Sequence, residues 1–121
     1  MVNNRSFVLL LLGCVLFSSP SHSQQPPTVF GPGTVSCGTW TGDHKTFENP
    51  SRVAEEGWLT GYISGYSMWG TNRTKDLFGH TDNQALVAWV SNYCQAHPLD
   101  EVARAADTLI LELNARIGSP H

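Results

Sequence analysis

The sequence predicts an all-α protein: a small bundle of three main helices, preceded by a short N-terminal helix or turn and stapled by one disulfide. Three observations favour this fold class. Apolar residues recur at helical spacing in the second half of the chain. Helix-capping residues precede these segments. No alternating strand pattern or hairpin turn competes with them.

Residues 1–23 have the pattern of a secretory signal peptide. Arg5 precedes an apolar run over 7–17, and small residues at Ser21 and Ser23 fit a cleavage site. The run is shorter than the roughly 20 apolar residues that a membrane-spanning helix needs. We therefore expect an exported, periplasmic protein. Two alternatives are secretion from the cell and a lipoprotein anchored through Cys14, because the residues that end at this cysteine resemble a bacterial lipobox.

The remaining chain divides into an arm and one domain. Residues 24–35 are rich in proline and glycine and predict a flexible, extended arm. Residues 36–118 predict a single helical domain. Its first segment, from Ser36, indicates a short helix or turn, with Trp40 as a core anchor near Cys37.

A central helix is predicted from Pro50 to about Gly70. Asn49 is a good N-cap, proline suits the first helical position, and Gly70 suits the C-terminal end. Glu55 and Glu56 are expected to face solvent.

Glycines at 57, 61 and 65 recur every four residues and so share one side of this helix. Each costs about 0.8–1 kcal/mol relative to alanine inside a helix. We therefore interpret Gly57, Gly61 and Gly65 as helix-packing glycines, placed where another backbone or a large ring comes close.

Two further helices follow a loop over 71–80, which contains a turn at 76–78. Thr81 as N-cap and Gln84 three residues later fit a capping box, and the apolar face of that helix runs from Leu86 to Cys94. Pro98 is predicted to open the last helix, with Asp100 and Glu101 in its first turn. Its apolar stripe runs from Leu99 to Ile117.

Two cysteines, Cys37 and Cys94, remain once a signal peptide is removed. In an oxidising compartment they predict one disulfide, with free thiols or a metal-binding pair as the alternatives. Closing so long a loop would stabilise the fold by roughly 4 kcal/mol in the chain-entropy model.

Charge and motifs argue against several function classes. The net charge is −3 and no basic patch is present, so nucleic acid is not an expected partner; nor is a membrane, unless Cys14 is lipidated. Ligand-type side chains occur without metal-site spacing, and the carboxylates of Glu55 and Glu56 should point apart. We expect no metal, no cofactor and no enzymatic activity. The ligand types considered were Asp43, His44, His80, Asp82 and His97.

Six aromatic residues, four of them on the predicted central helix, have two interpretations. They form part of the core, or they line a partner surface or ligand groove. The residues concerned are Trp40, Trp58, Tyr62, Tyr66, Trp69 and Trp89. Residues 72–74 also form an N-glycosylation sequon, which matters only in a eukaryotic source.

Two segments carry a family resemblance: Trp58-Leu-Thr-Gly-Tyr-Ile-Ser-Gly65 and Cys94-Gln-Ala-His-Pro98. Over 37–116 the chain resembles small exported bacterial helical proteins with two cysteines. These are the HdeA/HdeB-like acid-stress proteins and the Tai-type immunity proteins of type VI secretion. The glycine-rich spacing after Cys37 and the four tryptophans depart from both patterns.

The resemblance implies a non-enzymatic periplasmic module whose partner is another protein, either a client or an effector. An HdeA/HdeB-like holdase role in acid is the first expectation. Neutralisation of a secreted effector by a Tai-type immunity protein is the second. A small-ligand carrier or a small enzyme that uses an aromatic groove is the alternative from another class. The sequence does not predict an oligomeric state.

Overall fold

The computed structural model describes residues 28–70, 76–79 and 81–118. The predicted signal peptide, Cys14, the sequon and His80 therefore lie outside the described residues. A 3-10 turn at Gly31–Thr34 precedes four helices. The helices are α1 (Cys37–Asp43), α2 (Pro50–Trp69), α3 (Asn83–Ala96) and α4 (Val102–Gly118). Within the described ranges no strand forms, and the predicted all-α class is confirmed.

Helix α1 carries the disulfide and the largest buried side chain. Its N-cap is Ser36, whose hydroxyl oxygen accepts a hydrogen bond from the Thr39 amide. Cys37 is bonded to Cys94 of α3, with their Cα atoms 4.5 Å apart, so the predicted disulfide is confirmed. Trp40 is fully buried, and its indole N–H donates to the Ser91 hydroxyl of α3 at 3.0 Å. Trp40 is therefore a core anchor beside the disulfide, as predicted.

Helix α2 has the predicted bounds. The Asn49 side chain accepts a hydrogen bond from the Ser51 amide, and Leu59 and Ile63 are fully buried. Gly70 follows the end of the helix. Its φ is −73°, so a close approach of other atoms requires glycine there and a left-handed backbone does not. A Cβ at Gly70 would lie 2.5 Å from the Tyr66 carbonyl oxygen.

The interpretation of Gly57, Gly61 and Gly65 as helix-packing glycines is wrong for the described part of the chain. A Cβ at any of the three would meet no heavy atom of another element within 4 Å. Gly57 and Gly61 are exposed and Gly65 is half-buried. The periodicity placed them correctly on one side of α2, but that side is the outer one, because Leu59 and Ile63 turn the opposite side to the core.

This correction predicts that Gly61→Ala stabilises the protein. A methyl group there meets open space, so the gain in helix propensity of about 0.8–1 kcal/mol should appear in the free energy of unfolding. Urea unfolding of the oxidised protein checks the value. Gly33→Ala is the matched control and should destabilise, because its Cβ would lie 2.1 Å from the Trp58 ring. A loss of stability in Gly61→Ala would mean that something does pack against this side.

The N-terminal part of the described chain is packed, which corrects the extended arm predicted for 24–35 over residues 28–35. The ring of Trp58 covers the buried Gly33, and its indole N–H donates to the Phe30 carbonyl at 2.9 Å. The 3-10 turn also packs against α4. Residues 24–27 lie outside the description.

Helix α3 begins one residue later than predicted. Its N-cap is Asp82 and not Thr81, because the Asp82 carboxylate accepts from the Ala85 amide at 2.8 Å. The predicted apolar face is confirmed, with Leu86, Val90 and Cys94 buried. In the loop before α3, the Asp76 carboxylate accepts from the amides of residues 78 and 79, which forms the predicted turn.

Helix α4 begins at Val102 and not at Pro98, the second boundary that differs. The segment before it is held against the start of α1: the amides of Cys37 and Gly38 donate to the carbonyls of Asp100 and Pro98. These hydrogen bonds use the carbonyls that a helix from Pro98 would need. Leu99 is consequently 96% exposed and does not belong to the apolar stripe. The rest of the stripe is confirmed, with Val102, Ala103, Ala106, Leu109, Ile110 and Leu113 buried and Ile117 half-buried.

Candidate functional site

Three hydrogen bonds from aromatic side chains to carboxylates hold α4 and its leading segment to the other helices. We call them the carboxylate ties. Tyr62 of α2 donates its hydroxyl to Asp107 at 2.7 Å. Trp89 of α3 donates its indole N–H to Glu112 at 2.7 Å, and Tyr93 of α3 donates its hydroxyl to Asp100 at 2.7 Å. Every acceptor is an acidic side chain on one segment, 100–112.

The ties alter the titration of their tyrosines. Burial, followed by the hydrogen bond to Asp107, raises the pKa of Tyr62 to about 12. The hydrogen bond to Asp100 is the main cause that raises the pKa of Tyr93. Both shifts mean that the tyrosines remain donors across the physiological range, so it is the acceptors whose protonation can change the ties. In model peptides the carboxyl groups of aspartate and glutamate take up protons as the pH falls below about 4.

The ties lie where α4 and the segment before it meet α2 and α3. The buried face of α4 packs on α2 and α3 and supplies much of the core. The disulfide joins α1 to α3 and makes no covalent link to α4. Displacement of α4 would therefore expose apolar surface while α1 and α3 stayed joined.

A second cluster of titratable groups lies between the end of α1 and the first half of α2. We call Asp43, His44, Glu55 and Glu56 the acidic–histidine cluster. Glu55 is only 3% exposed, which corrects the prediction that it faces solvent. Its neighbour Glu56 is half-buried and accepts from the Arg52 Nε at 2.7 Å. The two carboxylates were expected to point apart, but both lie 3.4 Å from the ring of His44.

His44 connects the cluster to the core. Its ring stacks on Trp40 at 3.9 Å between centroids, and its Nδ1 lies 2.8 Å from the Trp40 carbonyl oxygen. Since a carbonyl only accepts, Nδ1 carries a proton. Nδ1 also lies 3.4 Å from Glu55 Oε2, and Nε2 lies 3.4 Å from Glu56 Oε1. Neither Nε2 nor Glu55 Oε2 has a hydrogen-bond partner within the described residues.

The electrostatics of Glu55 follow from this position. Burial is the main cause that raises the pKa of Glu55, from 4.5 to about 7, and the neighbouring Asp43 and Glu56 add to it. Glu55 and Asp43 also line a cavity of about 350 Å³ with hydroxyls of Thr39 and Ser51 at its wall. Near neutral pH the folded protein therefore keeps Glu55 partly protonated, where an exposed glutamate would be ionised.

The six aromatic residues that the sequence offered as core or as a partner surface or groove lie in different environments in the structure. Trp40 is in the core, so for this residue the surface reading is wrong. Trp58 and Tyr62 stack on each other at 4.8 Å and lie half-buried under the 3-10 turn and against α4. Tyr66 is also half-buried, as is Trp89 on α3. Trp69 alone of the six is 78% exposed, at the end of α2.

Apolar side chains are exposed on two parts of the surface. The outer side of α2 presents Val53 and Met68 around the glycines, with Trp69 at its end. On the other side, Leu99 and Leu111 border an open groove of about 580 Å³ that also contains Arg104 and Asp107. Such surface is available to a protein partner in the folded state.

No three His, Cys, Asp or Glu side chains within 28–70, 76–79 and 81–118 are grouped so as to hold a metal ion. Among the helices that the structure describes, none has the length and apolar character needed to cross a membrane.

Comparison with known proteins gives no match: no family model, no curated protein and no solved structure is significantly similar to this chain. Function is therefore inferred from the geometry of the residues described above.

Proposed function

We propose that this chain is a non-enzymatic, exported protein-binding module of the bacterial periplasm that opens in acid and holds unfolding client proteins, an HdeA/HdeB-like role. The observation that carries the proposal is the set of carboxylate ties. All three fasten the segment that covers the core, and all three depend on an acidic acceptor.

Acid should weaken all three ties. A hydrogen bond to an ionised acceptor is roughly twice as strong as one between neutral groups, so protonation of Asp100, Asp107 and Glu112 removes the charge-assisted part of each. The net charge also rises strongly, because ten Asp and Glu lose their charge while seven Lys and Arg keep theirs. The disulfide limits the expansion, which favours a compact state with exposed apolar surface.

Light scattering of an aggregating periplasmic client tests the proposal. At pH 2–3 an equimolar amount of the oxidised protein should suppress client aggregation, and a dye that reports apolar surface should gain fluorescence on the protein alone. At pH 7 neither effect should occur, because the ties are intact. A folded protein at pH 2–3 that binds no dye and leaves the client to aggregate would contradict the holdase role.

A Tai-type immunity role is the second candidate, and a different observation favours it. Val53, Met68 and Trp69 are exposed on α2 at neutral pH, so part of a binding surface exists without any opening. An immunity protein should bind one effector tightly at pH 7, and a gene for that effector should lie next to its own. Loss of that binding in Met68→Asp, with unchanged stability, would support this candidate over the holdase.

A further inference from the structure

The contact between α1 and α2 contains a buried carboxyl group, that of Glu55. We propose that the acidic–histidine cluster is a proton-dependent latch: a proton that it holds in the folded protein keeps α1 against α2, and loss of this proton as the pH rises loosens the contact. This inference is independent of the proposed function, because it involves other residues and another pH range.

The geometry shows why an ionised Glu55 is poorly accommodated. Glu55 is 97% buried, and its Oε2 has no hydrogen-bond partner in the described chain. The nearest cation of α2, Arg52, is occupied by Glu56. The Nδ1 proton of His44 is directed to the Trp40 carbonyl at the shorter distance of 2.8 Å, compared with 3.4 Å to Glu55.

The other elements around the cluster supply no compensating charge. Helix α3 has no charged residue, and it presents Ser91 and Gln95 to the cavity beside His44. The 3-10 turn is also uncharged. Lys45 borders the same cavity but is exposed to solvent. The remaining close charges are the carboxyl groups of Asp43 and Glu56, which oppose a negative Glu55.

The sign of the pH dependence follows. The pKa of Glu55 is raised from 4.5 to about 7, so the folded state binds a proton that the unfolded state releases above pH 4.5. The stability contributed by the protonated form is complete below pH 4.5 and is lost as the pH rises through 7.

Urea unfolding of the oxidised protein at pH 5 and pH 8 tests the latch. The unfolding equilibrium constant of the wild type should rise ten- to a hundredfold more between these two pH values than that of Glu55→Gln, since each unit of pKa shift is about tenfold. Glutamine has the shape of the protonated glutamic acid and can donate to Asp43. Glu48→Gln, at an exposed glutamate outside the cluster, is the matched control and should retain the wild-type dependence.

Parallel pH profiles of the wild type and Glu55→Gln would overturn the proposal. If Glu55→Gln does not fold, the carboxyl carbon of Glu55 can be titrated by NMR in the wild type. A midpoint near pH 7 supports the latch, and one near 4.5 overturns it. Failure of the client experiment at pH 2–3 would leave this result unchanged, so the two proposals can fail separately.

Discussion

Removal of the disulfide by the double substitution Cys37→Ala and Cys94→Ala should lower the free energy of unfolding by about 4 kcal/mol. The bond spans 57 residues, and the chain-entropy model gives about 4 kcal/mol for a loop of that size. Both sulfur atoms are also fully buried, so the truncation adds a packing loss. Small domains have a free energy of unfolding of about 5–15 kcal/mol in total, so the variant should be only marginally folded at 37 °C.

Urea unfolding at pH 7 measures this effect, and reduced wild-type protein is its control. Reduction should reproduce most of the loss without truncating a side chain, and the difference between the two samples gives the packing part. A loss below 1 kcal/mol in both would mean that the disulfide adds little to the fold. At pH 3 the reduced protein should unfold fully and not partially, because only the α1–α3 link limits its expansion.

The helices were predictable because local signals and packing agree in them. Asn49 with Pro50 marks the start of α2, and the spacing of Leu86, Val90 and Cys94 marks the buried face of α3. The errors occur where tertiary contacts override local preference. Pro98 suits the first position of a helix, but the pairing of its segment with the start of α1 delays α4 to Val102.

The glycines show the limit of periodicity as a signal. A four-residue repeat establishes that Gly57, Gly61 and Gly65 share a side, but it does not establish whether that side faces the core or solvent. The close approaches occur at Gly33 and Gly70 instead. Gly33 could not be found from the sequence, because its partner Trp58 is distant along the chain and no local pattern connects them.

The candidate sites were even less accessible to sequence analysis. From the sequence, the adjacent Glu55 and Glu56 are most simply interpreted as exposed charges in the first half of α2. Burial of Glu55 depends on α1 folding back over α2, which requires the three-dimensional path of residues 43–50. The carboxylate ties are likewise long-range pairs, such as Tyr62 with Asp107. Only their residue types, aromatic donors and acidic acceptors, are visible in the sequence.

The second large effect concerns the release of α4 in acid. Loss of the charge-assisted part of a tie should cost about 0.5–1 kcal/mol, and three ties together about 1.5–3 kcal/mol. This corresponds to a roughly ten- to hundredfold increase in the opening of α4. Glu55 does not add to the weakening, because acid only completes its protonation and the protonated form favours the contact between α1 and α2, which should persist.

A neutral-pH mimic separates the ties from the general rise in charge. The triple substitution Asp100→Asn, Asp107→Asn and Glu112→Gln keeps a hydrogen-bond acceptor at each site but removes its charge. At pH 7 this variant should show much of the α4 opening that the wild type shows only in acid. A triple variant as closed as the wild type would assign the acid response to overall repulsion.

Amide hydrogen exchange at pH 7 and pH 3, on the oxidised protein and corrected for the intrinsic pH dependence of exchange, tests the central claim most directly. We expect protection from exchange over Val102–Gly118 to fall ten- to a hundredfold at pH 3. The amides of α1 and of α3 around Cys94 should lose much less protection. Equal loss of protection in all four helices, or unchanged protection in α4, would contradict it.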